Sequence, residues 1–231
     1  MALYAPNRRD VLALLGLAAF SKLSFASTSV DLALVLAVDC SYSIGDYEYR
    51  LQMRGLGQAF LDSEMLDLVS HGMRGRIAIS AFLWSDPTGQ QLIVPWRVLE
   101  KANDAIEIGT AFLLAPRNLN AGSTATGSAL LYAAELLQHA PAGSRRVVDV
   151  SSNGPCNFGE PIRSSRDNLV GRSIVINGLA INNERKNMFE YMEANMIGGD
   201  GAFVITANDF NDYTLAIRNK LFKEIAGATL T

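Results

Sequence analysis

An unbroken apolar run, Leu32-Ala33-Leu34-Val35-Leu36-Ala37-Val38, leads straight into Asp39-Cys40-Ser41-Tyr42-Ser43. Seven apolar residues without alternation describe a strand covered on both faces, the signature of a parallel sheet. The residues just past the carboxyl end of such a strand are where open α/β sheets place their ligands. One carboxylate and two hydroxyls spaced two residues apart on a tight loop can turn toward one point. Hard oxygen donors of this kind suit Mg²⁺, Mn²⁺ or Ca²⁺.

The pattern beyond residue 30 alternates between strand and helix. Arg76 to Trp84 reads as a second strand, Asp86-Pro87-Thr88-Gly89 as a turn, and Gln91 to Trp96 as a third strand returning antiparallel. Pro95 suits an edge, where a missing amide donor is harmless. Arg146 to Ser151, Ser173 to Ile181 and Ala202 to Thr206 supply three further strands. Tyr49, Met53, Leu56 and Phe60 recur at helical spacing behind Asp46, which is placed to cap them. Lys101 to Leu114, Thr124 to His139 and Asp209 to Ile225 read as further helices. The expected fold is therefore a doubly wound α/β domain with helices on both faces. Its mostly parallel six-stranded sheet has the order 3-2-1-4-5-6, with strand 3 antiparallel. In that order strands 1 and 4 flank the switch point, so Asp39 and Asn153 should meet there.

With 231 residues, 49% of them hydrophobic and 19% charged, the chain can bury a sizeable core. Its net charge is −3, and Arg8, Arg9 and Lys22 lie in the first 26 residues against Asp10 alone, so the remainder is more acidic still. Such a balance, without a Lys/Arg cluster, argues against a nucleic-acid partner. Arg8-Arg9 precede a short apolar core from Val11 to Phe20 and then Ser24-Phe25-Ala26. This is the layout of a cleavable export signal over residues 1–26, resembling the twin-arginine type, with residues 27–231 as the mature domain. The apolar stretch is too short for an ordinary membrane-spanning helix, and the mature chain shows no span. Either secretory route places the domain in a bacterial periplasm, or holds it at the membrane if the leader is retained. Cys40 and Cys156 both flank the loops of interest; a disulfide and two separate buried fillers are both open, and the second is preferred.

Two further segments belong with Asp39-Cys40-Ser41-Tyr42-Ser43: Gly122-Ser123-Thr124-Ala125-Thr126-Gly127, and Ser152-Asn153-Gly154. In this order they resemble the metal-ion-dependent adhesion site of von Willebrand factor A domains, whose second segment is similar to Gly-Gly-Thr-x-Thr-Gly and whose third usually reads Asp-Gly. The resemblance runs from about Asp31 to Ile225. Arg145-Arg146-Val147-Val148-Asp149-Val150-Ser151-Ser152-Asn153-Gly154-Pro155, with Gly75-Arg76-Ile77-Ala78 and Ile197-Gly198-Gly199, resembles an uncharacterised subfamily of exported bacterial A domains. The resemblance implies a divalent cation, Mg²⁺ first, held by Asp39, Ser41, Ser43, Thr124 and Asn153. It also implies a protein partner that offers an acidic residue to that ion. Asn153 departs from the pattern: it gives a neutral carbonyl in place of a carboxylate, so ion affinity should fall. Asp149 cannot substitute, since four residues along a strand is roughly 13 Å.

Other chemistries fit less well. Gly122 to Gly127 has phosphate-loop glycine spacing, but Ser128 stands where lysine is required. Ser41 replaces the second aspartate of a haloacid-dehalogenase-like phosphatase pattern, and no Gly-x-Ser-x-Gly elbow occurs. His71 and His139 read as surface residues; Cys40 with His139 would make a nucleophile pair lacking an orienting third group. A metal-dependent hydrolase is the competing activity, but the sequence names no base for it. A metal-free structural subunit of an envelope complex is the third reading, with Ser43, Asp46 and Thr124 reduced to helix caps.

Overall fold

The computed structural model describes residues 29–183 and 186–229. The expected leader over residues 1–26 lies outside the described residues. Among those described, six strands form one sheet in the order β3-β2-β1-β4-β5-β6. The strands are β1 (Val30–Asp39), β2 (Ile77–Trp84), β3 (Gln90–Leu99), β4 (Gly143–Ser152), β5 (Val175–Ile181) and β6 (Val204–Ala207). All neighbours are parallel except the β2–β3 hairpin. The expected order and the antiparallel edge strand are both present, and Pro95 sits on that edge.

Every residue of β1 is buried, and the period of two sorts its side chains. Leu32, Leu34, Leu36 and Val38 face one core layer, formed with α1 (Asp46–Leu61), α2 (Ser63–Ser70), α3 (Ala102–Leu113) and α7 (Tyr213–Thr229). Ala33, Val35 and Ala37 face the other, formed with α4 (Thr126–Gln138), α5 (Ile162–Gly171) and α6 (Met188–Asn195). The small residues of β1 meet Ala129, Ala133 and Ala134 of α4, so that helix lies close against the sheet. Leu130, Ala133, Ala134 and Leu137 point inward as the spacing predicts. No described helix is long and apolar enough to cross a membrane.

Several local expectations need correction. Asp46 does not cap α1: Gly45 is the N-cap, without a side-chain bond, and Asp46 pairs with Arg117 at 3.0 Å instead. Helix α2 follows α1 after the single residue Asp62, which caps it by accepting the Glu64 N–H at 3.0 Å. Thr124 lies in the loop before α4, not in the helix. Helix α7 begins at Tyr213 rather than Asp209, because the Asp209 carboxylate accepts the Asn211 and Asp212 N–H groups and holds that stretch as a turn.

Asp149, in the middle of β4, is buried and meets α7. Lys220 Nζ stands 2.7 Å from Asp149 Oδ1 and 2.6 Å from Glu224 Oε1, and all three side chains are shut off from solvent. Asn177 of β5 donates to Glu224 Oε1 at 3.1 Å and accepts the Phe203 N–H at 2.9 Å. Burial, then the negative charge of Glu224, push the Asp149 carboxyl up to about 7, while Lys220 pulls it back.

Candidate metal centre at the carboxyl ends of β1 and β4

The switch point brings the first and third segments together. Strand β1 pairs with β4 through Val38↔Ser151, so Asp39 and Ser152 are side by side. Asp39 is fully buried. Its Oδ1 accepts the Ser41 N–H at 2.8 Å and its Oδ2 accepts the Ser152 hydroxyl at 2.5 Å. Burial raises the Asp39 pKa, and the bonds from Ser152, Ser41 and the Asn153 backbone partly offset that rise. Gln52 of α1 fixes the same turn by donating to the Asp39 carbonyl at 3.1 Å.

The hydroxyls continue from there. Ser41 Oγ and Ser43 Oγ are 3.4 Å apart, and Ser43 donates to Asn153 Oδ1 at 2.8 Å. Asn153 is buried, yet its Nδ2 has no hydrogen-bond partner. Amide orientation is assigned from the surrounding bonds. Turned over, Nδ2 donates to Ser43 and the carbonyl oxygen takes the unpartnered position.

The second segment closes the site from the β2 side. Tyr42 N–H donates to the Gly122 carbonyl at 2.8 Å. Ser123 donates to Asp86 Oδ1 through both its N–H (2.7 Å) and its hydroxyl (2.6 Å), which holds the Asp86 carboxyl below its usual range. Thr124 exchanges backbone bonds with Asn157: its N–H reaches Asn157 Oδ1 at 2.9 Å and its carbonyl accepts the Asn157 N–H at 3.1 Å. The loop that carries Asn153 then crosses the first turn of α4, where a Cβ on Gly127 would stand 2.0 Å from the Glu160 carbonyl oxygen. Ser128, at the place a phosphate loop gives to lysine, accepts the Glu160 N–H at 3.2 Å. That residue serves loop packing, not phosphate binding.

Above these groups lies a cleft of 220 Å³ lined by Tyr42, Ser43, Gly122, Thr124, Gly154, Pro155 and Asn157. A Cβ on Gly154 would meet only Thr124 Oγ1, at 3.8 Å, so a side chain there would occupy the cleft. Among the described residues no group of three His, Cys, Asp or Glu side chains could hold a metal. The donors gathered here are one carboxylate, three hydroxyls and an amide, a hard set suited to an oxygen-seeking divalent ion. With the Asn153 amide turned so that its oxygen takes the unpartnered position, this donor set fits such an ion.

All five residues expected at the site fall at this end of the sheet. Asp39, Ser41, Ser43 and Asn153 form one hydrogen-bonded chain, and Thr124 lines the same cleft as Ser43. The motif resemblance gives no role at the site to Ser152, Gln52, Asp86 or Asn157, which the structure shows bonded to its loops. Ser152 was open to inference, because a strand order placing β1 beside β4 makes it the neighbour of Asp39. The Cys40–His139 pair is not assembled: His139 caps the far end of α4, about 20 Å of helix from Thr126. His71 caps α2 and its Nδ1 contacts the Asp67 carbonyl at 2.7 Å. Both cysteines are free, Cys40 buried and Cys156 half-buried.

A family model described as Protein of unknown function (DUF1194) matches residues 29–229. The chain belongs to this family. No curated protein matches this DUF1194 member. Among solved structures it is similar to the von Willebrand factor type A structure from Catenulispora acidiphila, at 14% identity and TM-score 0.59, covering 87% of this chain and 43% of that one. It is also similar to the pilus adhesin SpaC from Lactobacillus rhamnosus GG in its open conformation, at 15% identity and TM-score 0.63, covering 87% of this chain and 30% of that one. A third is proximal thread matrix protein 1 from the mussel byssus with a zinc-occupied MIDAS motif, at 17% identity and TM-score 0.58, covering 87% and 48%. The DUF1194 chain thus has the von Willebrand factor A fold, and it spans less than half the length of each of these three proteins.

Proposed function

We propose that this chain is an exported protein-binding domain. It holds a divalent cation, Mg²⁺ first, through Asp39, Ser41, Ser43, Thr124 and Asn153, and presents it to an acidic residue of a partner protein. The observation that supports this reading is the bonded cluster of Asp39, Ser41, Ser43 and Asn153 next to an open cleft that Ser43 and Thr124 line, with one atom of the buried Asn153 amide unpartnered. A bound cation supplies a Lewis-acidic point that accepts a carboxylate oxygen. With Asp39 as the sole carboxylate of the set, that charge is less neutralised than in a two-carboxylate site. The step from fold to function is analogy, supported by the adhesin SpaC and by the mussel protein whose MIDAS motif holds zinc. A hydrolytic role is less well supported: the cleft lining contains neither a carboxylate nor an imidazole to serve as base.

The ion should stabilise the domain in a pH-dependent way. Asp39 has a raised pKa when folded. Without an ion its favourable contribution is therefore present in acid, below the unfolded value, and is lost as pH rises through the folded value. An ion beside Asp39 favours the ionised form, so protons and cation compete. At an ion concentration 100-fold above Kd we expect a rise in Tm of about 5–10 °C at neutral pH, shrinking as the pH falls through the Asp39 titration. A shift that is independent of pH, measured by thermal unfolding with and without Mg²⁺, contradicts the role given to Asp39.

Export is read from residues 1–26, and the paired arginines are its test. Arg8→Lys with Arg9→Lys should leave precursor in the cytoplasm, seen by fractionation and immunoblotting. Normal processing of that variant points to the general secretory route instead.

A further inference from the structure

A second set of reactive side chains lies in the core, roughly 13 Å down β4 from Asn153 at strand rise. Lys220, Asp149 and Glu224 are 0%, 2% and 0% exposed. Lysine is almost never fully buried, and an ammonium beside two carboxylates in an apolar core carries a heavy desolvation cost. Lys220 Nζ lies 2.7 Å from Asp149 Oδ1, so the amine and the carboxyl group it would attack are already in direct contact. Glu224 Oε1 sits 2.6 Å from the same nitrogen. It is held there by Asn177 Nδ2 at 3.1 Å, whose own Oδ1 is fixed by the Phe203 N–H. The Phe203 ring lies 5.2 Å from Lys220 Nζ.

We propose that Lys220 and Asp149 condense into an intramolecular amide, with Glu224 carrying the proton, so that α7 is joined covalently to β4. The ammonium first gives a proton to the Asp149 carboxylate, leaving a neutral amine and a carboxylic acid. Nζ then attacks Cγ of Asp149 and forms the C–N bond. Glu224 takes a proton from the nitrogen of the tetrahedral adduct and returns it to the departing hydroxyl. The C–O bond breaks and one water leaves. An ammonium and a carboxylate have become an amide and a water, with no oxidant or other reagent consumed.

The surroundings favour each step. Burial and the neighbouring Glu224 charge push the Asp149 carboxyl well up from its usual range, which favours its protonated, electrophilic form. Excluding solvent disfavours the charged reactants and hinders hydrolysis of the product. The Ser151 and Tyr213 hydroxyls line the same small void as Asp149, buried and without hydrogen-bond partners, and can donate to the amide oxygen. An exported domain whose two cysteines are free would gain from this bond a cross-link that thiols cannot reduce. The inference is independent of the proposed cation site.

Intact mass of the denatured, purified chain tests it, together with tryptic mapping. We expect the chain to be lighter than its sequence by one water. Cleavage after Lys220 should be blocked, and a branched peptide should join residues 147–163 to residues 219–223. Lys220→Arg should have its full sequence mass, and Glu224→Gln should retain Lys220 and Asp149 unlinked. A wild-type chain at full mass, or a one-water deficit mapped to any other peptide, overturns the proposal. A linked peptide that persists in Glu224→Gln overturns the role of Glu224. The wild-type measurement needs no variant, so it decides the bond even where a substituted chain fails to fold.

Discussion

Lys220→Met is expected to lower the unfolding free energy by about 3–5 kcal/mol, the cost of stranding buried carboxyls without their counter-charge. Asp149 and Glu224 share this one cation in the core, at 2.7 and 2.6 Å, and neither can reach solvent. Removing Lys220 takes away both this counter-charge and the nitrogen of the proposed amide, and leaves both carboxyls in apolar surroundings. Glu224 keeps the Asn177 donor, and among the described residues no other cation pairs with Asp149. The loss should appear as a lower urea midpoint and should ease in acid, as the raised Asp149 carboxyl takes up its proton. Adding Asp149→Leu and Glu224→Met to the same chain should recover much of it, because an apolar cluster of similar volume carries no desolvation cost. A loss below about 1 kcal/mol, the scale of an exposed pair, contradicts the buried arrangement.

Asn153→Asp should tighten ion binding by about tenfold, or about 1.4 kcal/mol. The change restores a second carboxylate at nearly the same volume, and divalent affinity follows ligand charge. Ser43 can still donate to the new carboxylate, as it does to Asn153 Oδ1 at 2.8 Å. Without an ion, however, the new charge faces the buried carboxylate of Asp39 across Ser152, and like charges repel. The ion-free variant should therefore melt below wild type and be rescued by Mg²⁺. At the same time it should bind an acidic partner more weakly, since the extra carboxylate neutralises more of the ion's charge. Equal destabilisation with and without Mg²⁺ contradicts a cation site.

Much of this architecture was legible from residue pattern because the central strands carry strong signals. The run from Leu32 to Val38 is buried on both faces, and its alternate residues feed the two core layers. The Asp86-to-Gly89 turn fixed the antiparallel edge. Helix α2 escaped because eight residues give little more than two turns, and a single residue, Asp62, separates it from α1. The start of β4 escaped because Gly143 reads as a turn residue until Val30 pairs with it. Strand order alone brings Asp39 and Asn153 to one end of the sheet, and the resemblance to the A-domain motif adds Ser41, Ser43 and Thr124 to the candidate set. The partner of Asp149 could not be placed, because Lys220 lies far along the chain on a helix whose spacing does not single it out. The anchors of the second segment, Asp86 and Asn157, accept backbone N–H groups with their side chains, contacts that leave no periodic trace.

Calorimetric titration of the wild-type chain and Asp39→Ala with Mg²⁺, Mn²⁺ and Ca²⁺ tests the cation site most directly. The site geometry predicts saturable binding of at least one of these ions at a single site on wild type. The same ion should give no binding heat with Asp39→Ala, and that variant should remain folded by circular dichroism. No binding by wild type up to millimolar ion, or equal binding by both chains, would contradict the metal centre at the ends of β1 and β4.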